Sequence, residues 1–150
     1  MCCALAVMRE VTDVLDLGSG FGSAAFRTVL SVPVASVDTS SQWLARTSAF
    51  IAGAGLPQGT LRTWEDQTRV RHRYGMVVYD AGDMSFRRKH LSDVWPWVRP
   101  GGLLVLDDAH DRLYHREARA FLAAHKVTML DVRGLSTDRF HRFVLVAERQ

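Results

Sequence analysis

The sequence predicts an α/β protein built on a mostly parallel sheet, and two observations carry this. Short runs of branched apolar residues alternate with stretches of helical periodicity, which implies right-handed crossovers between parallel strands. Several of these runs also stop at an aspartate, at the strand ends beyond which open parallel sheets bind their ligands. With 150 residues, 47% of them apolar and 23% charged, the chain has the balance of a soluble globular protein. That length suits one core, so residues 1–150 are read as a single domain.

Taken in order, the apolar run Cys2 to Met8 is too short for a membrane span or a signal peptide and reads as part of a first buried element. Residues 11–17 are rich in branched side chains and predict a strand that enters a tight turn at Gly18, Gly20 and Gly22. A short helix is expected over 23–30, and a second strand over 34–37, ending at Asp38. Ser40 is a candidate N-cap for a helix with Trp43, Leu44, Thr47, Phe50 and Ile51 on one inward face, closed by Gly53 and Gly55. A weak third strand covers 61–63, and a strong fourth covers 76–79 and ends at Asp80. Leu91, Val94, Trp95 and Val98 then form one helical stripe, broken near Pro96 or Pro100. Leu103–Leu106 is a fifth strand, ending at Asp107 and Asp108. Residues 112–125 read as a helix with Ala118, Phe121 and Leu122 inward, followed by strands near 127–132 and 140–147 joined by a loop containing Gly134.

The net charge is +3, and 17 of the 19 basic residues are arginine. That excess is modest, so the composition argues against nucleic acid as the main partner. The only cysteines, Cys2 and Cys3, are adjacent and cannot build a disulfide framework, which points to a reducing, cytoplasmic setting, while the short apolar run above leaves no membrane partner expected.

Five carboxylates converge on one rim: Asp16, Asp38, Asp80, Asp107 and Asp108. The turn Asp16-Leu17-Gly18-Ser19-Gly20-Phe21-Gly22 lets a ligand approach the main chain. Asp38, 22 residues after Asp16, is placed to accept from both hydroxyls of a ribose. The turn departs from the dinucleotide pattern because position 23 is Ser, and it has no Lys-Ser/Thr ending of a phosphate loop.

The segments VLDLGSGFG, VASVD, YGMVVYD and VRPGGLLVLDD together resemble the class I S-adenosylmethionine-dependent methyltransferases, over roughly residues 11–147. The resemblance implies a Rossmann-like, doubly wound sheet of seven strands with the last one antiparallel. By position it implies that Gly18, Ser19, Gly20 and Gly22 approach the methionine part of the cofactor, that Asp16 holds its amino group, and that Asp38 binds its ribose. Trp64 and Glu65 would meet the adenine, with core packing as the competing role for Trp64. Asp80 would complete the cofactor set.

Asp80, Asp107 and Asp108 form a second acidic group whose mutual repulsion asks for a shared cation or proton. Carboxylates of this kind suit Mg²⁺, which lowers the pKa of a bound substrate hydroxyl. Asp80-Ala81-Gly82-Asp83, Pro100-Gly101-Gly102 and Asp107-Asp108 resemble the small-molecule O-methyltransferase branch, closest to the macrocin type and more loosely to the catechol type. That branch implies a metal on Asp80, Asp107 and Asp108, and His110 as general base, with Asp83 competing for that role. Histidine is well suited to take a hydroxyl proton near neutral pH.

Only about ten residues precede the first strand, where relatives carry helices that cover the cofactor, so a lid is expected from elsewhere, a homodimer partner being one source. No N/D-P-P-Y/F motif follows the fourth strand, which disfavours methylation of exocyclic amines on bases or of glutamine amides. The leading expectation is therefore O-methylation of a small-molecule hydroxyl, with or without Mg²⁺. Three alternatives stay open: a nucleic-acid or protein methyltransferase using Arg69, Arg71, Arg73, Arg87 and Arg88 on phosphates, a non-catalytic module of the same fold, and, more remotely, a nucleotide-linked dehydrogenase.

Overall fold

The computed structural model describes residues 1–150. Its strands are β1 (Val14–Leu17), β2 (Val34–Asp38), β3 (Thr60–Thr63), β4 (Tyr74–Tyr79), β5 (Val98–Leu106), β6 (Val127–Leu130) and β7 (Leu145–Arg149). They form one seven-stranded sheet in the order β3-β2-β1-β4-β5-β7-β6. The pairings from β3 to β5 are all parallel. β7 runs antiparallel to both β5 and β6.

Every residue of β1, β2 and β4 is buried, as expected for central strands covered on both faces. The two-residue side-chain period divides them between two cores. Leu15, Leu17, Val77, Tyr79, Leu104 and Leu106 face one side. Val14, Met76, Val78, Leu103 and Val105 face the other, where Phe26 and Ala6 cover them. Asp16 shares the second face and stands opposite Ser36 of β2 in the parallel register.

The helices are α1 (Cys2–Met8), α2 (Phe21–Val29), α3 (Ser41–Gly53), α4 (Trp64–Thr68), α5 (Met84–Val94), α6 (Arg112–Ala123) and α7 (Arg133–Ser136). Ser40 caps α3 by accepting from the Trp43 N–H, as its position predicts. Asp111 caps α6 in the same way, and Tyr114, Ala118 and Leu122 form the buried stripe of that helix. None of these helices is long and apolar enough to cross a membrane.

Several boundaries differ from the sequence reading. β1 starts at Val14, because Val11 donates back to Ala6 and closes α1. α2 begins two residues early, at Phe21. On α3 only Leu44, Thr47 and Ile51 are buried, while Trp43 and Phe50 stand on the adjacent exposed stripe. Val98 belongs to β5: α5 ends at Val94, and a 3-10 turn over Trp95–Trp97, with Pro96 inside it, stops the helix. The segment 140–144 is not strand. The Asp138 carboxylate accepts from the backbone of Phe140 and Arg142 and from the Arg142 guanidinium, curling the chain before β7. Gly134 lies inside α7 and not in an open loop.

Candidate active site

The β1–α2 turn is tied to its neighbours by main-chain bonds. Gly18 N–H donates to the Val37 carbonyl at 2.8 Å, and Asp80 N–H donates to the Leu17 carbonyl at 2.7 Å. Gly18 has φ +110°, and a Cβ there would lie 2.5 Å from the Asp80 carbonyl oxygen. Glycine is therefore required by both conformation and space.

Asp38 reaches across to this turn. One carboxylate oxygen accepts from the Ser19 N–H at 2.9 Å and the Ser19 hydroxyl at 3.1 Å, and the other accepts from the Ser40 N–H at 2.9 Å. Trp43 closes the same corner, its indole N–H donating to the Ser19 carbonyl.

Asp16 lies beneath the turn. Its carboxylate accepts from Ser23 at 2.5 Å and more weakly from Ser36 at 3.4 Å. Burial pushes its pKa up to about 7, opposed by the Ser23 bond and the charge of Arg27. Arg27 is itself buried, donating to Ser36 and to the carbonyls of Ser23 and Val34.

These groups border a crevice of about 660 Å³ that runs from Asp38 and Gly18 past Asp16 to Asp80, Arg87 and Asp107. Cys2 and Cys3 of α1 form part of its wall, and burial pushes the Cys2 thiol up to about 11. A second cavity of about 250 Å³ adjoins it, sharing Asp80 and Asp107 and bounded opposite by Asp138, Arg142 and Phe143. The expected cofactor residues Asp16, Gly18, Ser19, Gly20, Gly22, Asp38 and Asp80 all border the larger crevice.

The adenine assignment does not hold for Trp64. Its side chain is core, packed edge-on against Phe86 and Trp97, and it does not border the crevice. Glu65 is exposed in the first turn of α4, also away from the crevice.

The metal assignment fails on the arrangement of the acids. No group of three or more His, Cys, Asp or Glu side chains is placed to hold a metal ion. A guanidinium stands between two of the three expected ligands: Arg87 lies 2.5 Å from an Asp80 carboxylate oxygen and 3.2 Å from one of Asp108. Asp107 turns its carboxylate onto the Asp108 N–H at 2.7 Å. The residues do not fit Mg²⁺, and Arg87 supplies the one positive charge set among them. Burial pushes the Asp80 pKa up to about 6, with Arg87 opposing the rise and Asp107 and Asp108 adding to it.

Asp83 caps α5, accepting from the Phe86 N–H at 2.8 Å, so its carboxylate is committed to the helix start. His110 stands at the outer edge of the rim, its Nδ1 3.6 Å from an Asp108 oxygen. Neither residue borders the larger crevice.

Arg87 is one of the arginines offered to phosphates under the nucleic-acid alternative, yet it is 6% exposed. Its signal was present in the spacing: Arg87, Leu91 and Val94 share one face of α5 and all three are buried. Trp43 on the crevice wall was missed because its helical spacing read as core.

No protein-family profile and no curated protein sequence matches the chain. Solved structures do. The O-methyltransferase TomG from Streptomyces achromogenes, involved in tomaymycin synthesis and solved with SAM (S-adenosylmethionine), is 15% identical over 97% of this chain and 75% of that one, with a TM-score of 0.73. An O-methyltransferase from Bacillus cereus, solved with SAH (S-adenosylhomocysteine), is 14% identical over 97% and 76%, with a TM-score of 0.73. An rRNA methylase from Streptococcus thermophilus is 16% identical over 97% and 93%, with a TM-score of 0.72. The chain thus has the Rossmann-like fold of class I SAM-dependent methyltransferases, shared by neighbours with different acceptors.

Proposed function

We propose that the chain is a SAM-dependent methyltransferase acting on a hydroxyl of a small molecule. The observation that carries the SAM part of this reading is the preformed cradle at the carboxyl ends of β1 and β2, where Gly18 opens the main chain and Asp16 and Asp38 stand on either side of the turn; the hydroxyl acceptor is supported by the O-methyltransferases among the similar structures. SAM, when bound, supplies a methyl group on a positively charged sulfur.

Asp38 would take the ribose. A carboxylate has about four acceptor sites, and Ser19 and Ser40 use three of them. A ribose diol would therefore displace the Ser19 hydroxyl, which also receives a bond from Thr47 at 3.3 Å. Asp16 would face the amino group of the methionine part, its ionised form favoured by that positive neighbour. The acceptor would stand in the adjoining cavity, whose wall of Asp80 and Asp107 is common to both spaces. His110 is the side chain proposed to receive the hydroxyl proton; it borders neither cavity and stands beside Asp108, which lines the adjoining one, so it would act through a water. The chain's main contribution would be alignment of donor and acceptor. A cytoplasmic setting suits the free cysteines on the crevice wall.

Titration calorimetry with SAH tests this. The wild type should bind, and Asp38→Ala should lose about 2 kcal/mol, or ~30-fold in affinity, the worth of hydrogen bonds to a charged group. Undiminished binding by the variant would remove the ribose assignment. A second reading, methylation of RNA, is favoured by the S. thermophilus rRNA methylase, which this chain matches over 93% of its length. It predicts RNA binding that weakens steeply with salt.

A further inference from the structure

We propose that Arg87 is a positioning residue that takes the place of a divalent cation at this rim and keeps the site free of metal. The functional weight of the proposal rests on the methyl-transfer reading above, because Arg87 holds the wall where donor and acceptor would meet.

The fixation of Arg87 is the first argument. Its guanidinium contacts the carboxylates of Asp80 and Asp108 and donates to the main-chain oxygens of Asp80 at 3.1 Å and Ala81 at 3.3 Å. One planar fork thus ties the turn after β4 to the turn after β5. Burying an arginine is costly unless its charge is paired and its donors are met, and here both conditions hold. The backbone sets its position as well: Arg87 N–H donates to the carbonyl of the capping residue Asp83 at 2.9 Å, in the first turn of α5.

The second argument concerns what the acids face. A hard cation draws carboxylate oxygens to a common centre, at about 2.0–2.6 Å for Mg²⁺ or Ca²⁺. The nearest oxygens of Asp80 and Asp108 instead face separate nitrogens of one guanidinium, and Asp107 is turned onto a backbone N–H. The guanidinium already occupies the space between the two acids and offsets one of their two negative charges, so a metal would have to expel a buried arginine.

The third argument concerns location. Asp80 borders both the crevice and the adjoining cavity, and Arg87 borders the crevice. Fixing Asp80 fixes that shared wall, and misplacement by about 1 Å at a reacting centre can cost ~100-fold in rate.

The test is a Mn²⁺ titration followed by electron paramagnetic resonance, with SAH calorimetry run on the same samples. Wild type and Arg87→Lys should leave Mn²⁺ free, because either side chain supplies a positive charge. Arg87→Gln should bind Mn²⁺ at least about ten-fold more tightly than wild type, because the crowded acids then lack a counter-charge. Adding Asp108→Asn to Arg87→Gln should abolish that gain. A purely structural role would treat Lys and Gln alike, since both lose the fork. Wild-type Mn²⁺ binding that Asp108→Asn removes overturns the proposal, as does equal Mn²⁺ affinity in all three proteins. If Arg87→Gln does not fold, wild type and its Asp108→Asn variant still decide. Failure of the wild type to bind SAH would overturn the methyl-transfer reading alone, leaving the Mn²⁺ comparison to judge Arg87.

Discussion

Asp16 and Asp38, around the glycine turn, and Asp80 and Asp108, along the rim, occupy equivalent places at the ends of parallel strands, yet they are held in opposite ways. The first pair is buried and satisfied by neutral donors: serine hydroxyls and backbone N–H groups. The second pair is more open to solvent and is held by one buried guanidinium. Neutral donors can be exchanged for an incoming hydroxyl or ammonium. A fixed, buried guanidinium offsets part of the acids' charge and holds both in place. The same residue type at the same topological position thus makes a binding cradle on one side and a braced wall on the other.

The largest effect that can test this contrast is at the turn itself. Gly18→Ala would force a Cβ to within 2.5 Å of the Asp80 carbonyl oxygen at φ +110°. It should cost about 3 kcal/mol in urea unfolding, the scale of left-handed strain plus overpacking. Gly22 offers the control: a Cβ there meets nothing closer than 3.7 Å, so Gly22→Ala should unfold within about 0.5 kcal/mol of wild type. Equal losses at both positions would show that the close approach to β4 does not govern the turn.

The next effect is on ligand affinity. Against the ~30-fold loss expected for Asp38→Ala, Asp80→Asn should change SAH affinity by no more than about three-fold, because a carboxylate already spent on a guanidinium contributes little net energy. Comparable losses would break the contrast and make Asp80 a direct cofactor contact.

A smaller effect, spread over pH, comes from Asp16. Its folded pKa of about 7 lies above the ordinary 3.8, so between those values the folded chain holds a proton that the unfolded chain has released. This contribution to stability is complete below about pH 4 and is lost as pH rises through 7, with a slope of at most ~1.4 kcal/mol per unit. SAH affinity should move the other way and tighten over the same window, because its ammonium prefers the ionised acid. The readout is wild type minus Asp16→Asn, which cancels the histidines and should remove both slopes.

How much of this was legible in the sequence follows from the range of each interaction. The central strands and the acidic strand ends are local patterns, and short runs of branched apolar residues that stop at an aspartate were enough to place them. The glycine turn was legible for the same reason. The Arg87 bridge was not, because its partners are 7 and 21 residues away and only folding joins them. Trp64 stands open between adenine contact and core in the sequence and is core in the fold, since a single aromatic after a short strand carries no periodicity to assign its side. The segment 140–144 has strand-like composition, but Asp138 captures its backbone donors, a contest between local hydrogen bonding and propensity that composition does not register.

The smallest effect separates two roles for one residue. Asp83 was an alternative base and stands as the N-cap of α5, its carboxylate bonded to the Phe86 N–H. Asp83→Ala should lose about 1 kcal/mol of stability, the usual worth of such a cap. Asp83→Asn should lose almost none, because the amide oxygen still accepts that bond. Neither substitution should alter SAH affinity, since Asp83 does not border the crevice. A base would respond differently, because Asn keeps the hydrogen bond but cannot take a proton. Equal unfolding midpoints for wild type and Asp83→Ala would remove the capping role and return Asp83 to the rim's chemistry, on the side of the molecule where carboxylates are braced rather than exchanged.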